Sequence, residues 1–525
     1  MKVYLILTPL LIAICSAFAY YIGSGKFISQ KHVTQQKEIS KLNHVIDIIE
    51  GRYVDSVKRE ELIELTIKNM LSELDPHSAY ISAVNTESEN ERLQGHFGGV
   101  GIRFIVLRDT LMVTNIIKGG PSERAGLQAS DRIIAVDDST VAGIGLAIEN
   151  VHSKLKGESG TPVHLTILRN GEKKEINITR GQIPLPSINA SYQLSGNIGY
   201  IKIDNFSDKT GIEFAQALGN LKRKGVTKLI LDLRHNGGGY MHTAVNVVDE
   251  FLSEGKLIVY TKGLHLDKNE TFASAYGNFE NNDVVVLINS SSASASEIVS
   301  GALQDNDTII GRRSFGKGLV QQPMTLEDGS EMRLTVSRYY TPTGRCIQKA
   351  YGEGIDYHSD IMERYENGEL QELDSSHFEN LEKFTTPKGK IVYGGGGIMP
   401  DLFVPIDTSG SSLYYTSLIY STAFRDFCFN YIDNNRSRFK YQNVEDYNNN
   451  FEISDAFLNN FTTFASEHSS ITKVESEFNH SKKRIKNQLK SELATYLFDV
   501  SARSLINMPF DKDVQEAISF FNKGN

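Results

Sequence analysis

Residues 283–322 hold hydroxyls and an amine at a spacing suited to nucleophilic chemistry. The run Ser290-Ser291-Ser292-Ala293-Ser294-Ala295-Ser296-Glu297 follows the apolar stretch Val284-Val285-Val286-Leu287-Ile288. It precedes a stretch with Ile298, Val299, Ala302 and Leu303 on one face. The first pattern predicts a buried strand, the second a helix. A hydroxyl at such a strand-to-helix turn is exposed, and the first amides of the helix point at whatever it attacks. Serine needs an adjacent base near neutral pH, and the lysine of Ser314-Phe315-Gly316-Lys317-Gly318 can approach closely because glycines flank it. These residue types allow a Ser–Lys dyad. They also allow a plain N-capping turn and a solvated glycine turn, and five serines give no internal reason to choose one.

A second turn could complete an acyl-transfer site. Leu229-Ile230-Leu231-Asp232-Leu233 predicts a buried strand running into Arg234-His235-Asn236-Gly237-Gly238-Gly239. Three glycines after a strand can aim backbone amides at a developing oxyanion. A tight turn would use them equally well. His235 also permits a Ser–His reading. Around these turns, strands (198–203, 229–233, 284–288, 309–310) alternate with helices such as 212–221, which argues for an α/β core.

Several quoted runs together resemble the C-terminal processing peptidases, also called tail-specific proteases. They are Ser292-Ala-Ser-Ala-Ser-Glu-Ile298, Gly301-Ala-Leu-Gln-Asp305, Ser314-Phe-Gly-Lys-Gly318 with Gln321, and Leu231-Asp-Leu-Arg-His-Asn-Gly-Gly238. Leu334 to Arg345 and Gly396 to Asp401 match later landmarks of the family. The resemblance implies Ser294 as nucleophile, Lys317 as general base, Gln321 orienting the lysine and Asp305 supporting. It further implies oxyanion amides at Gly238 and Ala295, and a crotonase/ClpP-like α/β core. Residues 305–311 are two fewer than the family pattern, which keeps open a non-catalytic scaffold in which the short turn has displaced Lys317. A small-ligand binder on the same core is a third reading.

Residues 95–182 read as a small β-rich domain inserted ahead of that core. Gly98-Gly99-Val100-Gly101-Ile102 opens it, strands and a helix near 146–155 follow, and Asn170-Gly171 marks a hairpin turn. Order and spacing resemble a PDZ domain, with Ser130 standing where the family has glycine before Asp131. The resemblance implies that Gly99, Val100, Gly101 and Ile102 receive a peptide's C-terminal carboxylate while the peptide adds a strand to the sheet edge. A C-terminus reader has no obvious use in a small-ligand binder.

The remaining segments set the context. Residues 1–24 are expected to be an export signal or membrane anchor, because residues 3–22 are almost uninterruptedly apolar. That places the protein outside the cytoplasm, in a bacterial-type periplasm or cell envelope. Residues 25–94 carry two helical stripes: Leu42, Val45, Ile46 and Ile49, then Leu62, Leu65, Ile67, Met70, Leu71 and Leu74. The core spans 183–405, with a polar insertion at 352–390 read as a surface excursion. Residues 406–525 read as helical, either a homodimer contact or a brace on the core, with an Asn/Asp-rich linker at 433–450.

Composition narrows the partners. A net charge of −9, with no basic stripe, argues against nucleic acid as a partner. No HExxH or clustered His/Cys set occurs, so no cofactor or metal is expected. The expected substrates are polypeptides with free C-termini. A free lysine has a pKa of about 10.4, so a lysine base working near pH 7 takes about 4 to 5 kcal/mol of differential stabilisation, with burial and Gln321 as expected sources.

Overall fold

The computed structural model describes residues 39–145, 147–274, 277–372 and 381–523. The expected export segment, residues 25–38 and part of the polar insertion lie outside them. Among the described residues no helix is long and apolar enough to cross a membrane. The chain divides into two units, one comprising residues up to 82 plus 323–334, the other comprising 83–322 and 335–525.

The first unit is helical, as its apolar stripes predict. A helix over residues 39–52 is joined to the helix Arg59–Ser72 through Arg59, which contacts Asp47 at 2.7 Å and Glu50 at 3.1 Å. Asp75 organises the following turn by accepting the amides of His77 and Ser78 at 2.8 Å each. The strand Ala79–Ile81 then pairs antiparallel with residues 331–333. Of the two stripes, Ile46 and Leu71 are buried, whereas Leu42, Val45, Leu65, Met70 and Leu74 stay exposed.

The second unit contains the expected α/β core. Its central sheet runs Ile188–Ser195, Ile198–Ile203, Lys228–Asp232, Asp283–Ile288, Thr308–Gly311 and Leu402–Phe403. All neighbours after the first hairpin are parallel. Successive residues of a strand point to opposite faces, so near-continuous apolar strands imply cover on both. Leu229, Leu231, Val284, Val286, Ile288 and Ile309 face a cluster built with the helices Thr210–Arg223, Met241–Asp249 and Ala295–Leu303. Ile230, Val285, Leu287 and Ile310 face the other way, against Val514, Ala517 and Phe521 of the helix Lys512–Lys523.

The small β domain forms around the strands Ile102–Leu107, Thr110–Ile116, Arg132–Val136, Pro162–Arg169 and Glu172–Thr179 in that spatial order. Asn170 and Gly171 both adopt positive φ, 53° and 84°, as a two-residue hairpin turn requires. Ser130 has φ 76°, the conformation that explains why glycine suits this position.

Two expectations for the later chain need correction. The insertion is more than a surface excursion, because Arg364 on its helix Asp360–Glu366 is almost wholly buried against the core. The Asn/Asp-rich segment is no loose linker either: it contains the helix Val444–Asn450, with Tyr447 fully buried. Asn443 caps that helix by accepting the Asp446 amide at 2.8 Å, which is how an Asn-rich run can start a helix. The C-terminal stripes Phe457, Phe461, Ile485, Leu489 and Leu493 are buried within this chain's own helical cluster. Ile105, Leu107 and Met112 of the small β domain pack on the same cluster. Cys346 and Cys428 are both free.

Candidate active site

The five-serine run separates into distinct roles once folded. Ser292 is buried, donates to the Leu233 carbonyl at 2.8 Å and accepts the Asn289 amide at 2.9 Å. Ser296 is buried and donates to the Asn236 carbonyl at 2.9 Å. Both hydroxyls therefore fasten the serine turn to the glycine turn after Lys228–Asp232. Ser294 is the N-cap of the helix Ala295–Leu303, in a capping box with Glu297, half-buried among buried neighbours, with φ 55° and ψ −111°. A non-glycine residue held at positive φ is a strained corner of the kind that clusters at functional sites.

Glu297 explains how the corner is held. It is completely buried, and its carboxylate accepts four donors. Oε2 takes the amides of Ser294 at 2.8 Å and Lys317 at 2.9 Å. Oε1 takes the Ser314 hydroxyl at 2.5 Å and the Gly316 amide at 2.7 Å. One side chain thus joins the serine corner to the lysine turn. Burial pushes its pKa up to about 7, against the opposing pull of these four donors. The Ser-x-x-Glu spacing from Ser294 to Glu297 is a capping-box signal, so this residue was findable in the sequence.

Tyr339 and Arg364 close the lysine turn from other sides. The Tyr339 hydroxyl donates to the carbonyls of Ser294 at 3.1 Å and Lys317 at 2.8 Å. Arg364 donates to the carbonyls of Arg313, Ser314 and Phe315 at 3.3, 2.8 and 3.3 Å. Gly316 has φ 90°, and a Cβ there would lie 3.1 Å from Lys349 Cβ and 3.2 Å from the Gly397 amide. Tyr339 lies in the run 334–345 matched above, but its partners, like those of Arg364, lie far along the chain.

The glycine turn lies directly against Ser294. A Cβ on Gly238, whose φ is 98°, would fall 2.8 Å from Ser294 Cβ and 3.0 Å from the Ala295 amide. The Gly238 amide itself donates to Asn236 Oδ1 at 2.8 Å, so as an oxyanion donor it would first have to leave that oxygen. Ala295 is the first residue of its helix, where no helix carbonyl serves the amide. His235, at φ 62°, sits with its ring nitrogens 3.1 and 3.3 Å from Asn289 Nδ2, and burial lowers its pKa. Gln321 donates to Thr335 Oγ1 at 3.1 Å.

Asp305 is placed differently from the other expected residues. It follows the far end of the helix that Ser294 begins, about 15 Å away by helix rise. Burial raises its pKa, partly offset by Arg345 and Lys390. Any support it lends Ser294 therefore runs through the helix. Residues 304–307 form the turn between that helix and the strand Thr308–Gly311.

In the small β domain, the strand Ile102–Leu107 is the sheet edge, and the helix Ile148–Leu155 runs beside it with His152 5.0 Å from the Phe104 ring. Gly101, at φ 79°, makes the turn into the edge strand. Its carbonyl accepts the Ile117 amide, and the Val100 carbonyl accepts both the amide and hydroxyl of Ser122. Gly99 ends the preceding strand His96–Gly99 rather than sitting in the turn.

Comparison with known proteins agrees with this layout. Residues 197–361 match peptidase family S41, residues 98–179 a PDZ domain and residues 23–85 the N-terminal domain of the activating protease CtpB. Residues 414–499 match a family of unknown function. A probable CtpA-like serine protease of Staphylococcus aureus (strain COL) is 34% identical over 355 residues, covering 67% of this chain and 70% of that protein. A carboxy-terminal-processing protease of Bartonella bacilliformis is 36% identical over 335 residues, covering 62% and 75%. Among solved structures, the photosystem II D1 C-terminal processing protease is 26% identical, with 68% of this chain and 85% of that chain covered and a TM-score of 0.34.

Proposed function

Since this chain belongs to the C-terminal processing peptidase family, a group of serine-type peptidases, we propose that it cleaves polypeptides with Ser294 as nucleophile and Lys317 as general base. The PDZ domain recognises the substrate's C-terminus, with Val100, Gly101 and Ile102 taking the carboxylate and the edge strand Ile102–Leu107 pairing with the peptide. The observation that carries the dyad is the shared acceptor Glu297, which takes the amides of both Ser294 and Lys317. It speaks against the scaffold reading, in which the short turn at 305–311 displaces the lysine.

Neutral Lys317 takes the Ser294 hydroxyl proton as Oγ attacks the peptide carbonyl. The carbonyl oxygen becomes an oxyanion held by the Ala295 amide and by the Gly238 amide, which exchanges Asn236 Oδ1 for it. Lys317 returns the proton to the leaving amine, and the acyl-enzyme is then hydrolysed by water that Lys317 activates. Gln321 orients the lysine and Asp305 steadies the helix behind Ser294. The parallel strands layered with helices support the crotonase/ClpP-like reading of the core. The apolar run of residues 3–22 supports export to a cell envelope, as signal or anchor.

Incubating the protein with an unstructured polypeptide tests this reading. Cleavage is expected in the unaltered chain and absent in Ser294→Ala and Lys317→Ala, with C-terminal peptide binding retained in both. Full cleavage by Lys317→Ala removes the dyad. Tight binding without cleavage by the unaltered chain leaves the scaffold.

A further inference from the structure

The last helix, Lys512–Lys523, lies outside the four matched family segments, yet it reaches the flanks of the active site. Its start is fixed locally, because Asp511 accepts the Val514 amide at 3.2 Å as an N-cap. Val514, Ala517 and Phe521 bury one face against the central sheet. That packing places Asp511 and Asp513 at the ends of the catalytic strands.

Asp513 contacts two arginines at once. Its Oδ2 accepts Arg234 Nη1 at 2.7 Å and Arg312 Nη2 at 2.9 Å, and its Oδ1 accepts Arg312 Nη1 at 3.1 Å. Arg234 is completed by Asp232 and by both oxygens of Asp511 at 2.8 Å each, and Arg312 by the Val404 carbonyl at 2.7 Å. The Asp513 side chain is 5% exposed, Arg234 11% and Arg312 13%, so water screens this cluster little.

The positions of the two arginines give the contact its meaning. Arg234 follows Lys228–Asp232 and precedes the glycine turn that ends beside Ser294. Arg312 follows Thr308–Gly311 and precedes the lysine turn. These strands flank Asp283–Ile288, the strand that leads to Ser294. One carboxylate therefore ties the two neighbours of the nucleophile strand, from the side opposite Glu297's helix.

We propose that Asp513 is a positioning residue, a latch from the C-terminal helix that holds the oxyanion turn and the lysine turn in register through Arg234 and Arg312. The latch touches neither substrate nor reacting atoms. Displacements near 1 Å in such turns cost up to about a hundredfold in rate, so the latch acts on kcat. It rests on the reading of Ser294 and Lys317 given above, and it assigns the C-terminal region a role in turnover beyond bracing.

The test compares Asp513→Asn with the unaltered chain and with Lys512→Ala, whose Asp407 contact lies off the latch. Asp513→Asn is expected to lower kcat at least tenfold with KM within twofold, measured well below both melting temperatures. Asp513→Glu is expected to recover part of the loss, and Lys512→Ala to leave kcat unchanged. Removing one partner of a buried ion cluster can unfold a protein, whereas an apolar replacement of both partners often does not. Asp513→Leu with Arg312→Met is therefore the second variant, expected to keep the melting temperature and lose kcat. Hydrogen exchange gives a readout independent of cleavage: the Gly238, Gly316 and Lys317 amides are expected to exchange at least tenfold faster in whichever variant folds. Unchanged exchange at all three amides, or kcat within twofold of the unaltered chain, overturns the latch. Should the unaltered chain cleave nothing, the hydrolase reading falls while the exchange result still decides the latch.

Discussion

The Lys317 amide donates to Glu297 Oε2 at 2.9 Å, across twenty residues of chain. Because the same oxygen takes the Ser294 amide, the separation of the serine corner from the lysine turn is set by one buried carboxylate. That relationship makes Glu297 the most sensitive point of the site outside the dyad.

Glu297→Gln should therefore lose most activity. Four donors converge on the two oxygens, and an amide nitrogen in place of one of them would face N–H and O–H groups that it cannot accept. A fall in kcat of at least tenfold is expected, with C-terminal peptide binding unchanged. Steady-state cleavage paired with a peptide-binding titration checks both parts.

The pH dependence of activity and that of stability should run in opposite directions. Burial raises the Glu297 pKa from an ordinary 4.5 to about 7. The folded state then holds the proton more tightly than the unfolded chain. The stabilisation is fully present below about pH 4.5 and lost as pH rises to about 7, amounting to about 3 kcal/mol. Cleavage needs the carboxylate with all four donors in place, so it rises through the same window. Urea unfolding and kcat measured from pH 5 to 8 check this, and Glu297→Gln should remove that contribution to the stability slope.

Gly238→Ala should cripple the oxyanion turn. The residue sits at φ 98°, and the added Cβ would lie 2.8 Å from both the Ala293 carbonyl oxygen and Ser294 Cβ. Loss of one oxyanion donor costs about a hundredfold or more in kcat. Single-turnover cleavage should show the loss in acylation rather than in binding.

Arg364→Leu tests whether the insertion braces the lysine turn. Its guanidinium serves the carbonyls of Arg313, Ser314 and Phe315 and pairs with Asp360 at 2.9 Å. Leucine would remove the guanidinium from those carbonyls and break the pair with Asp360, which keeps Lys349 at 3.1 Å. A loss of about 3 kcal/mol is expected, typical of breaking a buried ion pair, and denaturant midpoints would measure it.

Ser130→Gly should stabilise the PDZ domain. Ser130 holds φ 76°, and its hydroxyl is buried with no hydrogen-bond partner among the described residues. Left-handed backbone costs a non-glycine residue about 1 kcal/mol, so a gain of that order is expected in thermal unfolding. A loss would mean that the hydroxyl has a partner in solution.

Local pattern determined much of this protein. The short apolar runs at 229–233 and 284–288, bounded by turn residues, predicted buried strands, the alternation with helices argued for an α/β core, and Asn170-Gly171 announced its hairpin. Motif spacing marked the serine and lysine turns, because each turn is specified by neighbours a few residues away. Tertiary structure decided everything that depends on distant partners. Ser292 and Ser296 are fastened to carbonyls some sixty residues earlier, which leaves Ser294 at the strained corner. Glu297 meets the lysine turn about twenty residues on, and the aromatic stripes of the tail close on one another. Asp513 meets Arg234 and Arg312 across 279 and 201 residues. No local periodicity encodes such a meeting; it arises only when the last helix covers the sheet.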